Sequence, residues 1–259
     1  MSTTASTEGG AGALPTHAGR TAVVTGAGRG IGQELCRALA ARGADVVGID
    51  LGEVKETGNV VEELGRRWLG ITADVTDLDA ITVAATAVEE FGGADILVNN
   101  AAIDDAVHFD DLDLDLWRKV IQVDLEAPFL LCKAFVPHMR AQGWGRIVNI
   151  ASGVVMNPMQ RFVAYRAAKM GLIGFSRALA TELGNEGITV NIVSPGVTKT
   201  VMAADSLGEA AFERSAQARA IQRVAVPADI AGAVLFATSE DCGFVTGQTF
   251  MANGGAYFV

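Results

Sequence analysis

Short apolar runs rich in β-branched residues alternate with longer amphipathic stretches along most of this chain. The strand candidates are "TAVVTG" (21–26), "ADVVGID" (44–50), "WLGITADV" (68–75), "ADILVNNA" (94–101), "GRIVNIAS" (145–152), "ITVNIVSPG" (188–196) and "QTFMANGG" (248–255). Helical patterns lie between them, near 31–43, 77–91, 113–141, 162–185 and 227–239. The apolar runs are continuous rather than alternating, as in strands covered on both faces of a parallel sheet. Strands separated by helix-length crossovers build βαβ units, so the pattern predicts an α/β fold with a doubly wound sheet. No repeat, low-complexity linker or break in composition divides residues 20–259, which are expected to form one domain. Residues 1–19 are small and polar and are expected to be a flexible tail without a chemical role.

Composition narrows the possible partners. Half of the 259 residues are apolar and only 19% are charged, enough to bury a large core and to exclude wholesale disorder. A formal net charge of −10 repels phosphate backbones and anionic lipid, so neither nucleic acid nor a membrane surface is an expected partner. No apolar run approaches the ~20 residues that span a bilayer. The opening residues lack the basic and apolar regions of a signal peptide. Cys36, Cys132 and Cys242 are scattered, with no C-x-x-C pair; they read as free thiols in a reducing compartment, with no metal site. The expected location is the cytoplasm.

Two stretches carry chemistry. "TGAGRGIG" (25–32) joins the first strand to the first helix. Gly26, Gly30 and Gly32 let the backbone turn tightly and approach a pyrophosphate at the positive helix N-terminus, with Arg29 and Ile31 in the same turn. Asp50 ends the second strand candidate 18 residues beyond Gly32, with Leu51 after it. A carboxylate at that spacing accepts hydrogen bonds from the adenosine ribose and repels a 2′-phosphate, which argues for NAD over NADP. Arg29 pulls the other way, but one flexible guanidinium recovers less than an ionised carboxylate costs beside a phosphate. The second stretch is "AYRAAKMG" (164–171), where Tyr165 stands one helical turn before Lys169. The cation is expected to favour the phenolate and bring Tyr165 toward working pH as a general acid/base. Ser152, at a strand end, can hydrogen-bond a substrate oxygen.

"TGAGRGIG", "DV" at 74–75, "NNAA" at 99–102, a serine thirteen residues before "YRAAK", and "SPG" at 194–196 together resemble the short-chain dehydrogenase/reductase family. The resemblance runs from about residue 20 to the C-terminus. It implies a Rossmann-type, seven-stranded sheet in the order 3-2-1-4-5-6-7. It also implies that Asp74, with Val75 beside it, meets the adenine, that Asn100 and Ala101 line the ribose, and that Tyr165 and Lys169 serve both the nicotinamide ribose and catalysis. Val197 and Thr200, after Pro195, would hold the nicotinamide carboxamide. Asp124 stands where the family pattern carries Asn, whose carbonyl holds a water linking the lysine to solvent. The expectation is a retained proton relay with an altered pH dependence.

On the helix that carries Tyr165, a strip of small residues (Ala167, Gly171, Gly174, Ala178) faces away from Tyr165 and Lys169. This fits the family's usual homotetramer, paired through helices 113–141 and 162–185. Residues 197–226 are expected to form a lid over an apolar pocket that includes Val154, Val155, Met156, Met159 and Phe162. The expected activity is hydride transfer between NAD(H) and a small, largely apolar secondary alcohol or ketone, aryl or cyclic in character. Its rivals are a 3-oxoacyl thioester reductase and a catalytically silent cofactor sensor on the same fold.

Overall fold

The strands are β1 (Thr21–Thr25), β2 (Asp45–Asp50), β3 (Trp68–Thr72), β4 (Ile96–Asn99), β5 (Gly145–Ile150), β6 (Ile188–Pro195) and β7 (Thr249–Ala252). In this computed structural model, which describes residues 16–157 and 159–258, all seven join one sheet in the order β3-β2-β1-β4-β5-β6-β7. Every neighbouring pair is parallel. β1, β4, β5 and β6 carry buried residues at every position because helices cover both faces. β3, at the edge, is only partly covered.

The helices are α1 (Gly30–Ala41), α2 (Lys55–Glu63), α3 (Leu78–Phe91), α4 (Leu114–Ile121), α5 (Ala127–Gln142), α6 (Val163–Leu183), α7 (Val201–Leu207), α8 (Ala210–Gln217) and α9 (Ala228–Thr238). One core packs Leu35 and Leu39 of α1 and Ile230 and Val234 of α9 against Val24, Val46 and Ile96. On the opposite face Val88 of α3, Leu131, Phe135 and Met139 of α5 and Leu183 of α6 close over Val23, Val47 and Leu97. A buried polar chain fixes α6 to the sheet. Asn99 Nδ2 donates to Asn149 Oδ1 (2.7 Å), Asn149 Nδ2 donates to Ser176 Oγ (2.8 Å), and Ser176 donates to the Leu172 carbonyl (2.6 Å). Both buried amides thereby place their Nδ2 donors, while Asn99 Oδ1 has no partner.

Three features depart from the sequence expectation. The 113–141 pattern is not one helix: a π-helical turn over Gln122–Glu126 separates α4 from α5. The 197–226 connection is not open loop, since it contains α7 and α8. Of the expected tail, residues 1–15 lie outside the described residues, but the rest is folded. His17 is buried, its backbone N–H donates to Arg42 O (2.9 Å), and its Nε2 meets Thr238 Oγ1 at 2.9 Å. A polar residue that finds two partners in the body can be buried without penalty, which hydrophobicity alone does not anticipate.

Candidate active site

The sheet order reverses between β1 and β4, and the site lies at the carboxyl ends of those strands, as expected for an open α/β sheet. Gly26 (φ +65°) and Gly30 (φ +59°) adopt left-handed backbone, open to glycine at little cost. A Cβ on Gly32 would sit 2.0 Å from the Gly26 carbonyl oxygen, so backbone packs directly on backbone where the turn enters α1. Asn100 locks the turn to β4: its Nδ2 donates to the Thr25 carbonyl (2.9 Å) and its N–H to Thr25 Oγ1 (3.0 Å). The Ala101 N–H donates to the same hydroxyl.

Asp50 reaches across from β2. Its Oδ2 accepts from the Gly28 N–H (2.8 Å) and its Oδ1 from the Gly52 N–H (2.9 Å), which stations a carboxylate beside the glycine turn. Leu51 and Arg29 are exposed next to it. Asp74 is exposed, with Oδ1 accepting from the N–H and the hydroxyl of Thr76; Val75 is buried behind it. A glycine-rich turn at a helix N-terminus, with a carboxylate at its side, fits the pyrophosphate and adenosine ribose of a nicotinamide dinucleotide. Ile31, Asn100, Pro195, Val197 and Thr200 line a cavity that continues to Tyr165. The Thr200 hydroxyl also caps α7, accepting from the Ala203 N–H at 3.2 Å.

Ser152, Tyr165 and Lys169 line the far end of this cavity. Ser152 Oγ accepts from the Val154 N–H (3.2 Å). Lys169 is buried; its Nζ donates to the Ile150 carbonyl (3.0 Å) and lies 5.5 Å from the centroid of the Tyr165 ring. Its Nζ is also 3.0 Å from Oδ2 of Asp124, which is fully buried on the π-helical turn. That approach is an ion pair without hydrogen-bond alignment, whereas Asp124 Oδ1 accepts from the Ile103 N–H at 2.9 Å. An extra residue inserted in a helix re-aims the side chains around it, and such turns gather at functional sites.

Electrostatics correct one expectation. The sequence reading has Lys169 lowering the Tyr165 pKa. In the structure burial pushes the phenol above its ordinary value, the Asp124 and Asp104 carboxylates add to that, and only the Ser152 hydroxyl opposes it. Asp124 itself is raised by burial, against the pull of Lys169 and of the Ile103 N–H. The lysine's charge is answered by a carboxylate before it can act on the phenol.

Four further residues at this end escape the sequence reading. Asp105 is buried and caps α6 with both oxygens, accepting from Ala164 N–H (2.8 Å) and Tyr165 N–H (3.0 Å). It steadies a helix entered through Arg161 (φ +67°) and Phe162 (φ +58°), both in left-handed backbone that costs side-chain-bearing residues energy. Asp104 lines the cavity and accepts from Ser206 Oγ of α7 at 2.5 Å. Asn157 and Tyr257 complete the lining. Tyr257 had a signal available, since the chain has only two tyrosines and both face this cavity.

Residues 26–257 match the family model described as enoyl-(acyl carrier protein) reductase. The chain belongs to the short-chain dehydrogenase/reductase family. It is 39% identical over 244 residues to a 3-oxoacyl-[acyl-carrier-protein] reductase of Salmonella typhimurium, covering 93% of this chain and 98% of that one. A structure from Beutenbergia cavernae, described as an NAD(P)-dependent gluconate 5-dehydrogenase and holding NADP at low occupancy, matches with TM-score 0.87. It is 36% identical, covering 93% of this chain and 98% of the other. Carveol dehydrogenase of Mycobacterium avium, solved with NAD, matches with TM-score 0.87 and 31% identity over 92% of this chain and 98% of that one. This short-chain dehydrogenase/reductase is therefore an NAD(P)-dependent oxidoreductase with a small-molecule substrate. None of its described helices is long and apolar enough to cross a membrane, and no cluster of candidate metal ligands occurs among the described residues.

Proposed function

We propose that this enzyme reduces a small, largely apolar ketone with NADH, and oxidises the corresponding secondary alcohol more slowly at neutral pH. The observation that carries the reading is the convergence of Ser152, Tyr165 and Lys169 on one cavity that reaches Ile31 and Asn100 at the glycine turn, with Asp50 bound to the Gly28 N–H of that turn. Val154, Met159, Phe162, Met202 and Leu207 give that cavity apolar walls. When bound, the nicotinamide supplies the hydride. Tyr165 then donates its phenolic proton to the carbonyl oxygen in reduction, while the Ser152 hydroxyl holds that oxygen. A phenol raised by burial and by Asp124 stays protonated at neutral pH, which suits the acid role and slows the base role. Lys169, held in place by Asp124 and the Ile150 carbonyl, gives the proton that restores the Tyr165 phenol and is itself reprotonated from solvent. Asp50 supports NAD, because its carboxylate opposes a 2′-phosphate beside the glycine turn. Buried free cysteines and the outward strip of small residues on α6 support a cytoplasmic homotetramer, and the lining of the cavity by Val197, Thr200, Met202 and Leu207 supports residues 197–226 as its lid.

The similarity to a 3-oxoacyl-[acyl-carrier-protein] reductase favours a second reading, reduction of an acyl thioester. Initial rates with NADH and NADPH on acetophenone and on acetoacetyl-CoA separate the two. The expected result is NADH-dependent reduction of the aryl ketone, with Tyr165→Phe lowering kcat by roughly 10³-fold while NADH still binds. Faster NADPH-dependent turnover of acetoacetyl-CoA by the native enzyme overturns the first reading in favour of the second.

A further inference from the structure

Asp104 and Asp105 are neighbours in sequence with opposite fates. Asp105 is occupied by two backbone N–H groups of α6, whereas Asp104 faces the cavity. Burial raises the Asp104 pKa; Ser206 and the Ala106 N–H oppose this, and Asp105 and Asp205 reinforce it. Among the described residues lining the cavity the only basic side chain is Lys169, which is directed to Asp124 and the Ile150 carbonyl. No arginine lines it. The Asp104 carboxylate therefore faces apolar walls without a cation of its own, and its one side-chain donor is Ser206 Oγ from α7.

We propose that Asp104 selects the substrate: its carboxylate receives a hydroxyl or ammonium group carried away from the reacting carbonyl, and it excludes substrates that place a carboxylate there. The Ser206 hydroxyl already marks the acceptor such a donor meets, since its hydrogen bond to Asp104 Oδ2 is made at the cavity wall. Beside apolar walls, a donor is welcomed at a carboxylate that has no cation partner, and a second anion is repelled. The inference deepens the ketone-reductase reading and rests on it. It also separates this chain from a sugar-acid dehydrogenase, whose substrate brings its own carboxylate.

Three ketones that share one ring and one acetyl group test it: 4-acetylbenzylamine, 4-acetylbenzyl alcohol and 4-acetylbenzoate, each reduced with NADH. For the native enzyme, kcat/KM for the amine and the alcohol is expected to exceed that for the benzoate by about tenfold or more. Asp104→Asn keeps the shape and removes the charge, and should shrink the amine-to-benzoate ratio by about tenfold. Ser206→Ala keeps the carboxylate and frees its acceptor, so the ratio should be held or enlarged. A ratio unchanged in Asp104→Asn, or compressed equally by Ser206→Ala, overturns the role of Asp104 and leaves ketone reduction standing. Failure of the native enzyme to turn over any of the three overturns both.

Discussion

At the glycine-turn end of the cavity, main chain meets main chain. Gly32 lies against the Gly26 carbonyl, Asn100 holds the Thr25 carbonyl, and Asp50 is fixed by two backbone N–H groups. At the other end, Asp104, Asp124, Tyr165 and Lys169 come together from three separate segments, where Asp124 and Asp104 raise the Tyr165 phenol and Lys169 pulls against the burial that raises Asp124. The first end is a rigid shape that tolerates no added volume. The second is a balance of charges that tolerates small changes of shape but not of charge. Steric substitutions should therefore hurt the first end most, and isosteric charge changes the second.

The largest effect is expected at the rigid end. Gly32→Ala forces a methyl into the Gly26 carbonyl and the Asn100 amide, so the turn must open. The NADH dissociation constant, followed by fluorescence titration, should rise by roughly 10- to 100-fold, since overpacking of this kind costs about 1–3 kcal/mol. Unchanged affinity would show that the turn is soft and erase the contrast. Asp105→Ala comes next. It removes the acceptor of two N–H groups at the start of α6, costing about 1–2 kcal/mol of stability as a lost helix cap. As a positioning change it should lower kcat several-fold and leave NADH affinity where it was. Equal losses in both would mean that Asp105 supports the whole domain and not Tyr165 in particular.

The same contrast explains what could be read from sequence. The alternation of strands and helices, the glycine turn and Asp50 follow from local spacing, because backbone geometry dictates which residue types sit a fixed number of positions apart, whereas the sheet order is implied by the family resemblance. The Tyr165–Lys169 pair is local as well, one turn of a single helix. Asp105 is some 60 residues from its partners on α6, and Ser206 is 102 from Asp104, so no spacing rule connects them. α7 and α8 are short and carry few buried residues, which leaves little periodic signal. The π-helical turn adds no mark of its own to a helical pattern, yet it is the segment on which Asp124 reaches Lys169. The departure from the family pattern at Asp124 was legible; its effect on Tyr165 required the burial and the ion pair.

That effect is also where the account is most exposed. Oxidation needs Tyr165 as phenolate, so a raised pKa displaces the rising limb of the oxidation rate toward alkaline pH. Around the phenol, burial, Asp124 and Asp104 hold the pKa up, Ser152 opposes them, and Lys169 is ion-paired with Asp124. Asp124→Asn removes a charge that raises the phenol and releases the lysine's charge toward it, and both act in the same direction. The direct measurement is the pH dependence of kcat for NAD-dependent alcohol oxidation in the native enzyme and in Asp124→Asn. The predicted result is a rising limb displaced to lower pH by about one unit or more in the variant, equivalent to ~1.4 kcal/mol or more at the phenol. A limb that stays in place, or moves to higher pH, contradicts the claim that the Asp124–Lys169 pair governs the proton held by Tyr165.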